Sequence, residues 1–415
     1  MFHIHYRTGE SSAGKKFEYF WFITICCWSV YIFVYLGRVN LSISLPYLSK
    51  TYGYSKISTG LIASGFFFTY AVGQFINGIL GDRFNPRFFI GIGLFLSGVS
   101  NILFACTNNI WLMFCFWTLN GYFQSMFWGP LVRIISHITP PAQLRKTTQF
   151  LCSSMIIGYF LSYALIGRVA VSFGWMAAFY IPGFLLIIIS ILWIWFLRNY
   201  TDKDMVHKTI HTHSVSFHSI SGAVSFFIET RLWLIALICI LHGSIKEGLI
   251  LWGPSLLMEA RTISLERALS FMALTPVMNV IGLAAGGIIH KFFKYQEKYT
   301  IIFFLFVIII TIIILNISII YFSVLTIVAT ALLFASLFAV NNMLVTYMPL
   351  NFHTEHRVST AAGFLDCAIY IGAACSSPLS GFIADHFGWF NVMNGWIMAG
   401  VIAVILAIFS HNYKK

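Results

Sequence analysis

Arg38 and Lys246 each stand inside a long apolar run, and each precedes a proline by eight residues: Pro46 in RVNLSISLPYL and Pro254 in KEGLILWGPSL. A cation in an apolar membrane segment is costly unless it is paired, hydrated or able to reach the interface, so both are functional candidates by default. Two cations at matching places in a repeated chain repel across a shared cavity until an anion joins them. The chemistry suggested is capture of an anionic head group, with an arginine snorkelling to the interface as the alternative for Arg38. Helical spacing sets Tyr31, Tyr35 and Ser42 on the Arg38 face, where tyrosine hydroxyls can donate to an oxyanion or simply pack in the core. His242 stands four residues before Lys246, either as a second donor and titrating group or as a histidine bonded to a neighbouring helix. Glu247 and Asp366 are the acidic residues well inside the spans; each balances Lys246 as an ion pair or serves as a proton site.

These side chains need membrane helices to hold them. Hydrophobic residues make up 59% of the 415 and charged residues 9%, against about 25% charged in a soluble domain. Mean hydropathy is +0.84. The fold class expected is an all-α membrane protein with no room for a large soluble catalytic domain, so enzyme activity is not expected. Apolar runs predict helices near 19–48, 57–81, 87–107, 110–138, 146–171 and 175–197, then near 229–259, 264–290, 299–321, 323–351, 357–386 and 389–410. Residues 199–221 form the longest polar stretch. The expected organisation is a six-helix bundle over 1–198, a cytoplasmic linker over 199–221 and a second bundle over 222–415.

The net charge of +12 would suggest nucleic acid in a soluble protein, but here the basic residues gather in alternate loops. Arg83, Arg87, Arg145, Lys146, Arg198, Lys291 and Arg357 fall on the side shared by both termini, whereas Lys50, Lys56, Arg168, Arg261 and Arg267 fall on the other. The excess of positive charge makes the first side cytoplasmic. The polar start lacks a small-residue cleavage signal, so no removable leader is expected. The halves echo each other: SFGWMAAF at 172–179 answers HFGWFNVM at 386–393, and Arg145 and Arg357 open corresponding helices. Such pseudo-symmetric halves build a site at their interface.

Other clusters carry less. His207, His211, His213 and His218 lie in the linker without a cysteine or carboxylate partner set, and the cysteines lack metal spacing, so neither metal nor cofactor is expected. Asp82 and Arg83 in GDRFNPR, with Arg133, Arg145 and Arg357 on other cytoplasmic helix ends, form a candidate conformational latch that favours the outward-open state.

Five segments are distinctive together: GILGDRFNPR at 78–87, YIFVYLGRVNLSISLPYL at 31–48, GYFQSMFWGPLVR at 121–133, KEGLILWGPSLL at 246–257 and AAGFLDCAIYIGAA at 361–374. In them the chain resembles the major facilitator superfamily and, within it, the organophosphate:phosphate antiporters. The resemblance implies that Arg38 and the cation of the seventh helix hold a phosphoryl group, with Tyr31, Tyr35, Gln124, Trp128 and Tyr370 around it. Three positions depart from the glycerol-3-phosphate antiporter: Lys246 replaces an arginine, Gln74 a lysine and Ser154 a histidine. The resemblance implies exchange of a sugar phosphate or glycerophosphate for inorganic phosphate by alternating access. A monomer in a bacterial cytoplasmic (inner) membrane is expected, with both termini in the cytoplasm. RVNLS also resembles proton- or sodium-coupled carboxylate symporters, and some members of the organophosphate branch are ligand sensors; both stand as alternatives.

Overall fold

The computed structural model describes residues 11–199, 228–261, 263–318, 324–352 and 358–410, and among them every regular element is helical. The first half comprises α1 (Ser11–Tyr52), α2 (Lys56–Arg83), α3 (Pro86–Ala105), α4 (Ile110–Gln124), α5 (Trp128–Ile138), α6 (Pro141–Leu161), α7 (Gly167–Phe173) and α8 (Ala177–Phe196). The second comprises α9 (Leu232–Arg261), α10 (Leu265–Met272), α11 (Thr275–Phe292), α12 (Glu297–Ser318), α13 (Val324–Asn342), α14 (Met348–Leu350), α15 (Val358–Phe387) and α16 (Trp389–Phe409). Eleven spans are long and apolar enough to cross a membrane, some of them made of two consecutive helices. The pair α4 and α5, broken at residues 125–127, supplies a twelfth. The linker expected at 199–221 lies almost wholly outside the described residues, as does Arg357.

Local chemistry sets the helix ends. Ser55 caps α2 by accepting from the Ser58 amide, Asn85 caps α3 ahead of Pro86, and Asn109 caps α4 through the amides of Trp111 and Leu112. Prolines explain the interruptions that apolar periodicity does not reveal. Pro130 has no amide to give the carbonyl four residues back, and the chain kinks there between α4 and α5. Pro276 does the same between α10 and α11, where the Thr275 hydroxyl donates to the freed Met272 carbonyl at 2.8 Å. The fourth and eighth predicted helices are therefore each two pieces. A π-helical turn at Ser162–Ile166 joins α6 to α7, and another at Met343–Tyr347 joins α13 to α14.

The halves meet where α2 packs along α15, α1 crosses α9, and α6 and α7 approach α11 and α10. Pro254 shapes the α1–α9 crossing. Its missing amide leaves the Ile250 carbonyl without its helical donor, and the first half supplies substitutes: Ser42 Oγ at 2.8 Å and Tyr163 Oη at 3.1 Å. Ser42 also donates to the Leu251 carbonyl at 2.9 Å.

The α2–α15 contact is tightest at the end that carries Lys56. A Cβ on Gly60 would stand 2.6 Å from the Ser377 carbonyl oxygen, and one on Gly381 would overlap the Lys56 carbonyl oxygen. Asp385 of the second half takes the amides of Lys56 at 2.7 Å and Ile57 at 3.2 Å, two free donors that open α2. Lys56 Nζ reaches Asp385 at 3.3 Å and Glu259 at 3.1 Å, and Trp389 Nε1 donates to Glu259 at 3.0 Å. Toward the other end, Gly78 and Gly363 are exposed with no atom in reach of an added side chain.

Candidate anion site between the halves

Arg38 projects from the middle of α1 into a cavity of about 40 Å³ that both halves line. From the first half come Arg38, Ser42, Phe66, Phe67 and Tyr159, and from the second Glu247, Ile250 and Tyr370. One water needs about 10–15 Å³ of such space, so the cavity has room for a few waters and no more. A phosphorylated organic molecule needs the walls to part.

The guanidinium lies over the Tyr70 ring at 4.0 Å, with the Tyr35 and Phe66 rings at 5.4 and 5.5 Å. Ring faces attract a cation and limit its side-chain freedom without neutralising it. Its Nη2 is buried and has no hydrogen-bond partner among the described residues, which leaves a donor for an incoming acceptor. The Tyr35 ring packs tilted against Tyr159 at 4.6 Å and edge-on to Tyr31 at 5.4 Å, Tyr31 lies tilted against Trp128 at 5.1 Å, and Tyr70 meets Tyr370 edge-on at 4.6 Å. Gln74 donates to Tyr70 Oη at 2.8 Å, two shells from the guanidinium.

Lys246 is arranged differently. Its ammonium lies 2.7 Å from Glu247 Oε1, with side-chain exposures of 10% and 5%. The ammonium also lies 5.4 Å from the centre of the Phe338 ring. Of the two candidate partners Glu247 is the one that pairs with it. Asp366 is half-buried, and no hydrogen bond or ion pair to it occurs among the described residues. His242 is fully buried and neither ring nitrogen has a partner among the described residues, so it is not the bonded core histidine allowed for from the sequence.

A buried pair broken on one side costs about 3–5 kcal/mol, because the remaining charge is stranded. Lys246→Met should therefore lower the thermal midpoint of the detergent-solubilised protein well below wild type, and adding Glu247→Leu should recover most of the loss. Equal midpoints for wild type and the single variant would remove the pair from the stability of the site.

Two residues assigned to the pocket serve the backbone instead. Gln124 Nε2 donates to the Gly37 carbonyl at 2.9 Å, which Asn120 and Asn101 also reach at 3.1 and 3.3 Å. Amides from α3 and α4 thus grip α1 one residue before Arg38 and fix the turn that aims it. Ser154 is fully buried and turns back onto the Leu151 carbonyl of its own helix. Tyr70, Tyr159 and Phe66 are the side chains that sequence reasoning missed; in a chain with 18% aromatic residues nothing in their spacing sets them apart.

The latch residues divide. Arg133 Nη1 donates to the Gly81 carbonyl at 2.6 Å, tying α5 to the end of α2 within one half. Arg83 is exposed at that end. The side chains of Asp82 and Arg145 and all of Arg357 lie outside the described residues.

The sequence model of the Major Facilitator Superfamily matches residues 27–359. The chain belongs to this superfamily. Within the superfamily it is 26% identical over 409 residues to a probable hexose phosphate transport protein of Chlamydia trachomatis, covering 93% of this chain and 89% of that one. It is 27% identical over 410 residues to the glycerol-3-phosphate transporter of Bacillus subtilis, covering 90% and 87%. It is 24% identical over 406 residues to the membrane sensor protein UhpC of Escherichia coli, covering 93% and 91%. Among solved structures, an inward-facing bacterial homologue of the human lysosomal transporter Spinster superposes with a TM-score of 0.79 at 14% identity, over 94% of this chain and 97% of that one. The major facilitator fold is thereby shared.

Proposed function

We propose that the chain is a secondary active transporter of a phosphorylated organic anion, of the sugar-phosphate or glycerophosphate class, working by exchange for inorganic phosphate. The observation that carries this reading is Arg38. It is a membrane-embedded cation held by aromatic faces, with a buried unpartnered donor, in a cavity that both halves line. Guanidinium suits the oxygens of a phosphoryl group because its planar fork can donate to two of them at once. The relatives named for hexose phosphate and glycerol 3-phosphate support the substrate class.

On this reading the Lys56 end faces outward and is shut, and transport alternates as the two bundles rock about the Arg38 cavity. Asp82, Arg83, Arg133, Arg145 and Arg357 would hold the opposite end in the other state. The membrane is a bacterial cytoplasmic membrane with both chain termini on its inner side.

The test uses liposomes loaded with phosphate or with inert buffer, followed for entry of labelled sugar phosphate with and without a pH gradient. Exchange requires internal phosphate for rapid entry. Equal entry into phosphate-free vesicles, driven by the pH gradient and lost in Asp366→Asn, would move the function to proton symport. Binding without any entry would favour a ligand sensor, a second reading supported by the similarity to UhpC.

A further inference from the structure

Lys246 already has an anion. Glu247 holds its ammonium at 2.7 Å, and the same Glu247 lines the cavity that Arg38 enters. Asp366 on α15 is half-buried within electrostatic reach of Lys246, Glu247 and Arg38. With both carboxylates ionised, two cations and two carboxylates sum to no net charge. The other titratable groups around them are Tyr31 and Tyr35 on α1, Tyr70 on α2, Tyr159 on α6, Tyr163 beyond it, His242 on α9 and Tyr370 on α15. An anion that enters such a site meets no standing excess of positive charge, and at Lys246 it competes with a carboxylate for the same ammonium. Being the next residue on the same helix, Glu247 cannot be carried away by a helix movement that leaves Lys246 in place.

We propose that Glu247 is a surrogate anion in the empty carrier and takes up a proton when the substrate's phosphoryl group replaces it on Lys246, so that one proton is bound with each anion. The proposal rests on the phosphoryl-anion reading above. The proton comes from solution and joins the Glu247 carboxylate. The ammonium–carboxylate contact gives way to an ammonium–phosphoryl contact, and no covalent bond of the substrate changes. Proton and anion bind in the same step, so acid favours the loaded site. A carrier exchanging two phosphate species this way moves a proton with each and remains balanced.

The experiment measures glycerol 3-phosphate binding to the purified full chain in lipid nanodiscs, in mildly acidic and mildly alkaline buffer, for wild type, Glu247→Gln and Glu247→Asp. In Glu247→Gln, Lys246 has lost its competitor at every pH. The variant should bind at least about tenfold tighter than wild type in alkaline buffer, the scale of one charge-assisted contact, and the two should converge in acid. Glu247→Asp should keep the wild-type dependence on pH. The ester's own titration is common to all three proteins and cancels in their ratios. In weakly buffered alkaline solution, where the ester is already fully ionised, wild type should take up one proton per anion bound, a reading that needs no variant to fold. Equal or weaker alkaline binding by folded Glu247→Gln, or no proton uptake by wild type, would overturn the proposal while leaving the phosphoryl reading intact. Absence of phosphate-ester binding in all three proteins would sink both together.

Discussion

Arg38→Gln should lose phosphate-ester binding by at least about tenfold, because a hydrogen bond to a charged group is worth about 1.5–3 kcal/mol. The loss should appear as a collapse of transport in liposomes while the thermal midpoint stays near wild type. Stability is expected to hold because Arg38 has no carboxylate partner among the described residues to strand, and glutamine preserves a polar stem among the same rings. Arg38→Lys is the more discriminating variant. It keeps the charge but gives up the flat surface that lies 4.0 Å over Tyr70 and the fork that can engage two oxygens. Its affinity should fall between wild type and Arg38→Gln. Titration calorimetry on the three proteins decides the matter. Wild-type affinity in folded Arg38→Gln would exclude Arg38 from the binding site, and with it the observation on which the proposed function stands.

The fold class, and the placing of Arg38 and Lys246 inside the spans, were legible in the sequence for one physical reason. A bilayer admits few charges, so those inside apolar runs stand out, and runs of the right length count the spans. Apolar periodicity carried no information about what broke the helices, since Pro130 and Pro276 interrupt them while their neighbours stay as apolar as before. The division of labour between the two cations was also hidden. Their matching distance from a proline suggests equivalence, yet Lys246 is paired with its neighbour in sequence and Arg38 rests on rings from α1 and α2. Gln124 belongs to a similar motif-level expectation, but its amide grips the α1 backbone instead of facing the cavity. Side-chain direction within a motif is decided by packing between helices, which spacing along one helix cannot express. The seal at the Lys56 end was missed because its parts are ordinary residues taken singly: two glycines, a lysine and carboxylates near helix ends.

That seal makes the second large prediction. Closing the Lys56 end brings α2 and α15 so near that neither Gly60 nor Gly381 has space for a Cβ. Asp385 gains its contacts with Lys56 and Ile57 only while the halves are together at this end. Capping interactions of this kind contribute about 0.5–2 kcal/mol, whereas the partly exposed ion pairs of Lys56 add about 0–1 kcal/mol. Asp385→Ala should therefore shift the ratio of closed to open by roughly 5–30-fold, the effect of 1 or 2 kcal/mol. Gly381→Val should shift it further, since it removes the closed packing itself and strands no charge. Ala63 lines the central cavity and serves as the reporter. With the eight native cysteines replaced and cysteine placed at position 63, an impermeant thiol reagent added at the Lys56 side should react slowly in the parent protein and faster in Asp385→Ala. Reaction should be fastest in Gly381→Val, and its transport should fall because the cycle can no longer close at that end. Unchanged reactivity in both variants would mean that the contacts at Lys56, Gly60 and Gly381 do not govern the equilibrium. An open Lys56 end with undiminished transport would separate the seal from the cycle, because alternating access cannot run through a site that stays open on one side.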